Sequence, residues 1–137
     1  MINSRKIEDL RLIPAAKCRA FVAACAKLGI DVIITSTYRD AESQNALYAQ
    51  GRTAPGKKVT NAAGGDSLHN WRVAFDFVPV ANGKAIWDDA KLWERCGAIA
   101  ESVGLEWGGR WTKFPDKPHC QDTGGLTIAQ YKAGAVP

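Results

Sequence analysis

Hydrophobic positions along the chain switch repeatedly between a helical and a strand period. From Pro14 to Leu28, Cys18, Phe21, Val22, Cys25 and Leu28 recur at three- and four-residue steps, which places them on one helix face. Pro14 suits the first turn and Gly29 the position just past the last, because a first-turn N–H is dispensable and a helix stop favours positive φ. Asp31–Ser36 is short and β-branched, so it reads as a strand. Ala41 to Gln50 predicts a second helix, with Asp40 as N-cap, Glu42 near the positive end and Gly51 as the stop. Alternation returns over Arg72–Val80, with Val73, Phe75 and Phe77 on one face and Ala74, Asp76 and Val78 on the other. Asn82-Gly83 is a type I′ hairpin signal leading to Ala85-Ile86-Trp87. Asp88 then caps a helix to Val103, whose apolar stripe is Leu92, Trp93, Cys96, Ile99, Ala100 and Val103. Leu105–Trp107 and His119–Gln121 predict two more short strands, and Thr127 caps a last helix through Lys132. Pro115 and Pro118 keep the intervening segment out of a helix.

Helices and strands are mixed, with a hairpin and no repeating strand–helix–strand rhythm. The expected fold is therefore α+β: a small, largely antiparallel sheet flanked by helices, in a single domain spanning residues 1–137. Eighteen basic and fourteen acidic side chains leave a net charge of +4. That charge is small and scattered, so a nucleic-acid partner is not expected. No run approaches the roughly 20 apolar residues of a membrane span, and Met1–Asp9 has no apolar signal-peptide region. Cys18 and Cys25, seven apart on one helix, sit about 10 Å from each other, out of disulfide reach. With no CxxC pair, the cysteines read as buried free thiols. Arg52–Asp66 is long, aperiodic and contains Gly and Pro, the mark of a loop that is either functional or disordered.

Asp76 is the informative position. A carboxylate between Phe75 and Phe77 must face water or find a partner. The chain has two histidines, and His69 lies seven residues before this aspartate. On one continuous strand that odd spacing would separate the side chains onto opposite faces, so Ser67–Asn70 must turn if both are to meet one ion. His119 supplies a third ligand, and the Pro115–Pro118 turn allows Asp116 to converge on it. Two imidazoles and a carboxylate leave the fourth zinc position open, the catalytic arrangement, and a nearby non-ligand carboxylate serves as proton acceptor.

Ser67-Leu68-His69-Asn70-Trp71-Arg72-Val73-Ala74-Phe75-Asp76 resembles the SxHxxGxAxD signature of the LAS zinc peptidases. These comprise lysostaphin-type enzymes, D-alanyl-D-alanine carboxypeptidases and dipeptidases, and phage L-alanyl-D-glutamate endopeptidases. Glu106–Trp111 and Phe114–His119 resemble the family's WGG…DxxH segment. Thr35–Arg39 and Gln44…Arg52 match the block preceding the first signature in the endopeptidase branch, so the matches run in order from about Ile33 to Gln121. The resemblance implies a zinc site in a cleft on the sheet, with His69, Asp76 and His119 as ligands and Asp116 as general base. It further implies that Arg39 binds substrate and polarises the scissile carbonyl, and that Gln44 and Ser67 line the cleft. The implied activity is hydrolysis of the peptidoglycan stem peptide at the L-alanyl–D-glutamate bond by a monomeric endolysin. Such an enzyme is held in the host cytoplasm until lysis, without stable membrane association. A D-alanyl-D-alanine carboxypeptidase or dipeptidase, and a non-catalytic zinc-containing wall-binding domain, are the alternatives.

Two positions depart from the pattern. Arg72 stands at the signature glycine, so close backbone packing there is expected to be relieved or absent. Cys120 stands where an aromatic is common, and strand alternation turns it away from His119. Trp71, Trp107 and Trp111 are expected along a substrate groove, and Trp87 and Trp93 in the core.

Overall fold

A computed structural model describes residues 1–137. The helices are α1 (Leu12–Lys27), α2 (Ala41–Ala49), α3 (Ala90–Ser102) and α4 (Ile128–Lys132). The strands are β1 (Asp31–Ser36), β2 (Ala74–Ala81), β3 (Lys84–Ala85), β4 (Glu106–Trp107) and β5 (His119–Gln121). They form one antiparallel sheet in the order β1-β2-β5-β4, with β3 paired to the far end of β2. The α+β architecture expected from the mixed periods is what the chain adopts.

One sheet face carries the core. Phe75 and Phe77 of β2, Trp107 of β4 and Cys120 of β5 pack against Phe21 of α1 and Trp93 of α3. Phe77 bridges the two helices, its ring 4.8 Å from Phe21 and 5.4 Å from Trp93. Cys120 points into this core and away from His119, as alternation requires. All four cysteines are buried and free. Burial pushes the Cys18 thiol up to about 12, against the opposing charge of Arg19, so it packs as a small apolar group rather than a nucleophile.

Several local readings shift. Helix α1 begins at Leu12, two residues before Pro14, which still lies in the first turn. Leu28 falls beyond the helix and is exposed. Asp89, not Asp88, caps α3 by accepting the Leu92 N–H. Trp87 is 56% exposed rather than in the core, because β3 is only two residues long and its chain leaves the sheet before Trp87. Trp107 is buried rather than in a groove. It is seated on Gly97 of α3, where a Cβ would meet the indole ring at 2.1 Å.

The departure at Arg72 has a local explanation. It adopts the left-handed conformation, φ 64°, at the end of a 3-10 turn over Leu68–Trp71, and β2 starts only afterwards. A signature glycine therefore serves backbone conformation here, not close packing. Arg72 tolerates the roughly 1 kcal/mol strain because its guanidinium lies 3.8 Å over the Tyr38 ring and donates to the Asp9 carbonyl at 2.9 Å.

Arg72→Val is expected to be about 1 kcal/mol or more less stable than Arg72→Gly, because both lose the guanidinium contacts but only valine keeps the left-handed strain. Equal urea midpoints for the two variants would refute the left-handed explanation. Gly97→Ala should destabilise by about 2 kcal/mol through overpacking against Trp107. The sign of the shift in thermal melting decides, since an uncrowded helical position would gain stability from alanine.

Candidate metal centre and cleft

The antiparallel register sets the site. Asp76 of β2 stands directly opposite His119 of β5 and opposite Ser36 of β1 on its other side. Opposed residues share a face, with Cβ atoms about 5 Å apart. His69 reaches that face because the 3-10 turn and Arg72 interrupt the strand period between it and Asp76. Ser67 caps the turn by accepting the His69 N–H, and Asn70 Oδ1 accepts the Ser67 N–H in return. Asn70 Nδ2 then donates to the Arg39 carbonyl at 2.8 Å, and the Arg39 N–H donates to the His69 carbonyl at 3.1 Å. Arg39 and His69 are thus fastened to each other through backbone.

Ligand-type atoms of His69, Asp76 and His119 all lie within 4.8 Å of one another. His69 Nε2 is 3.3 Å, and His119 Nδ1 3.5 Å, from Asp76 Oδ1. A tetrahedron with bonds of about 2.1 Å has edges of roughly 3.4 Å, so these separations suit zinc. The remaining ring nitrogens are engaged. His69 Nδ1 lies 2.9 Å from the Thr37 carbonyl, which makes it the donor and leaves Nε2 with a lone pair. His119 Nε2 lies 2.7 Å from Gln121 Oε1 and leaves Nδ1 free in the same way. Both rings are buried. Burial opposes ionisation of Asp76; where a proton rather than an ion sits between carboxylate and ring, hydrogen bonds from His119 and His69 outweigh burial and hold the carboxyl well below the usual range. The donor set fits a zinc ion with one position open.

Asp116 arrives through a close backbone approach. Its N–H donates to the Gly108 carbonyl at 2.9 Å, and the His119 N–H donates to the Asp116 carbonyl at 3.2 Å. A Cβ on Gly108 would meet the Asp116 carbonyl oxygen at 2.5 Å. The first glycine of the WGG segment is therefore what admits the DxxH turn. The Asp116 side chain is exposed at the cleft rim, yet desolvation by the adjoining walls pushes its pKa up. His119 opposes that shift and the charge of Asp76 adds to it.

Arg39 Nη1 donates to Gln44 Oε1 at 2.9 Å and Nη2 to Ser36 Oγ at 3.1 Å, with Nη2 3.9 Å from Asp76 Oδ2. The cleft, about 390 Å³, takes in Arg39, Ser67, Asp116 and the three ligand residues. Gln44 is not among its walls. It is 1% exposed and lies behind Arg39, its amide donating to the Ala62 carbonyl at 2.8 Å. The Arg52–Asp66 loop is pinned, with Arg52 Nη1 bonded to the Tyr48 and Thr60 carbonyls, and it contributes Val59 and Thr60 to the cleft. Of the tryptophans expected in a groove, Trp111 lines the cleft, while Trp71 stacks on Tyr131 of α4. Sequence reasoning missed Thr37, Gln121 and Glu106. Thr37 acts through a carbonyl and leaves no side-chain signal. Gln121 was legible in principle, two residues after His119 on the same strand face.

Residues 60–122 match the D-alanyl-D-alanine carboxypeptidase family. The chain is 41% identical over 122 residues to the peptidoglycan L-alanyl-D-glutamate endopeptidase CwlK of Bacillus subtilis, covering 82% of this chain and 73% of that one. It is 35% identical over 96 residues to an L-alanyl-D-glutamate peptidase of a Listeria phage, covering 68% of this chain and 31% of the phage protein. In fold it is similar to the Serratia marcescens L-Ala D-Glu endopeptidase ChiX, with a TM-score of 0.61 and 20% identity over 95% of this chain and 92% of that one. His69, Asp76, Asp116 and His119 all lie inside the family match, and at this identity over most of both chains the protein belongs to the D-alanyl-D-alanine carboxypeptidase family of peptidases.

Proposed function

We propose that the chain is a zinc-dependent peptidoglycan hydrolase that cleaves the stem peptide at the L-alanyl–D-glutamate bond. The observation that carries this reading is the convergence of His69, Asp76 and His119 within 4.8 Å on the cleft floor, with Asp116 and Arg39 beside them. The activities of the Bacillus and Listeria phage relatives support the choice of bond. The phage relative also supports action as an endolysin made in the host cytoplasm and reaching the wall at lysis. No helix is long and apolar enough to cross a membrane. The whole chain is read as one monomeric peptidase domain.

His69 Nε2, Asp76 Oδ1 and His119 Nδ1 would hold the ion. Bound there, zinc supplies Lewis acidity, which lowers the pKa of water and polarises an amide carbonyl. Asp116 takes the proton from the attacking water and returns it to the leaving amine. Its raised pKa brings it closer to the operating range of a general base than an ordinary aspartate. The Arg39 guanidinium is held in place by Gln44 and Ser36. It offers positive charge where the tetrahedral oxyanion develops. Gln44 acts by holding Arg39 and the loop at Ala62, and Ser67 by capping the turn that delivers His69.

Purified chain is expected to bind one zinc per molecule and to clear suspensions of sacculi. Mass spectrometry should find glycan-linked stems ending in L-alanine. Loss of terminal D-alanine alone would move the activity to carboxypeptidase, and binding without products to a non-catalytic wall domain. Asp116→Ala should keep its zinc and lose about 10²- to 10⁴-fold in clearing rate, whereas an unchanged rate would remove Asp116 as the base.

A further inference from the structure

The two ligand histidines present opposite ring nitrogens and are held by different means. His69 is oriented by a backbone carbonyl. His119 is oriented by a side chain, and that side chain is itself held. Gln121 Nε2 donates to Glu106 Oε2 at 3.0 Å, and Trp111 Nε1 donates to the same oxygen at 3.0 Å. The sheet register makes this possible. Glu106 of β4 pairs with Gln121 of β5, and Gln121 shares its face with His119 two residues earlier, which in turn faces Asp76. Trp111 closes the series and also lines the cleft, its ring 5.3 Å from that of His119.

We propose that Gln121 and Glu106 are positioning residues for metal binding, a relay that fixes which nitrogen of His119 is offered to the ion. This rests on the zinc reading of the three ligands. A carboxylate only accepts hydrogen bonds, so Glu106 draws the NH₂ end of the Gln121 amide toward itself and turns Oε1 to His119. An oxygen at 2.7 Å from Nε2 requires a proton there. The Nδ1 lone pair then points toward Asp76 Oδ1, 3.5 Å away. With the amide reversed, its N–H would face Nε2, the ring proton would move to Nδ1, and His119 would present a proton instead of a lone pair. The charge on Glu106 is what separates the two amide orientations, since a neutral partner of the same shape discriminates only through its own orientation. Partial negative charge at Oε1 also increases the basicity of the ring as a ligand.

The test is competition for Zn²⁺ between the full chain and a chelator, with imidazole ¹H–¹⁵N spectra of the zinc-loaded protein. Wild type should show a slowly exchanging His119 Nε2–H. Gln121→Leu should lose that signal and bind zinc 10- to 100-fold more weakly. Glu106→Leu should fall between the two, and Glu106→Gln, which keeps an acceptor but lacks the charge that selects the amide orientation, should recover only part of the affinity. Glu106 is exposed at the end of a two-residue strand, so the Glu106 pair decides the matter even if Gln121→Leu does not fold. A purely structural role would lower melting temperature alike in both Glu106 variants and leave zinc affinity unchanged, which overturns the proposal. So does a Nε2–H that still exchanges slowly in Gln121→Leu. Failure of wild type to bind zinc overturns the metal reading along with it.

Discussion

A single carboxylate pressed between two imidazoles organises this protein. Asp76 sits in the middle strand of the sheet, flanked in register by Ser36 and His119, with His69 closing over it. A charge in that position is costly unless it is satisfied. Its partners must therefore come from both neighbouring strands and from the turn before its own. The β1–β2 register slips between Ile34 and Ser36. Beyond that irregularity the chain leaves the sheet at Thr37, whose carbonyl orients His69, and at Arg39, whose charge faces Asp76. The N-terminal residues complete this edge. Ser4 exchanges backbone hydrogen bonds with Thr37 and Tyr38, and Asn3 Oδ1 accepts from Ser36 Oγ, which in turn accepts from Arg39.

The opposite sheet face does a different job with the same strands. Alternation sends Phe75, Phe77, Trp107 and Cys120 into the core while Asp76, His119, Gln121 and Glu106 share the opposite face of the sheet. Rigidity of the apolar side thus transfers directly to the polar one, because each polar residue is the strand neighbour of a packed one. The WGG segment shows this coupling at close range. Trp107 locks against Gly97 on the core side, and one residue later Gly108 admits the Asp116 backbone on the site side.

Functional precision at the cleft depends on restraint of flexible side chains. Arg39 carries several rotatable bonds, and Gln44 and Ser36 hold its guanidinium at two corners. Gln44 also fastens the long loop at Ala62, so one buried amide ties the proposed oxyanion-binding residue to a wall of the cleft. Polar groups of this kind contribute little to fold stability but fix geometry, which is what a positioned reaction requires.

The amino-acid sequence alone determined the local elements and pointed to the candidate ligand set. Helix and strand periods, the Asn82-Gly83 turn and the Asp40 and Thr127 caps all depend on neighbours within a few residues, and the ordered motifs singled out His69, Asp76, Asp116 and His119 before any fold was known. Only tertiary structure decided what orients them. The Thr37 carbonyl lies 32 residues from the ring it holds, and Glu106 lies 15 from Gln121. Such partners are set by strand register, which no local pattern encodes. It also decided that Arg72 occupies a left-handed turn, that Trp107 is core and Trp87 surface, and that Gln44 works behind the cleft. Periodicity reports which face a side chain takes; what waits on that face is settled when distant segments pack.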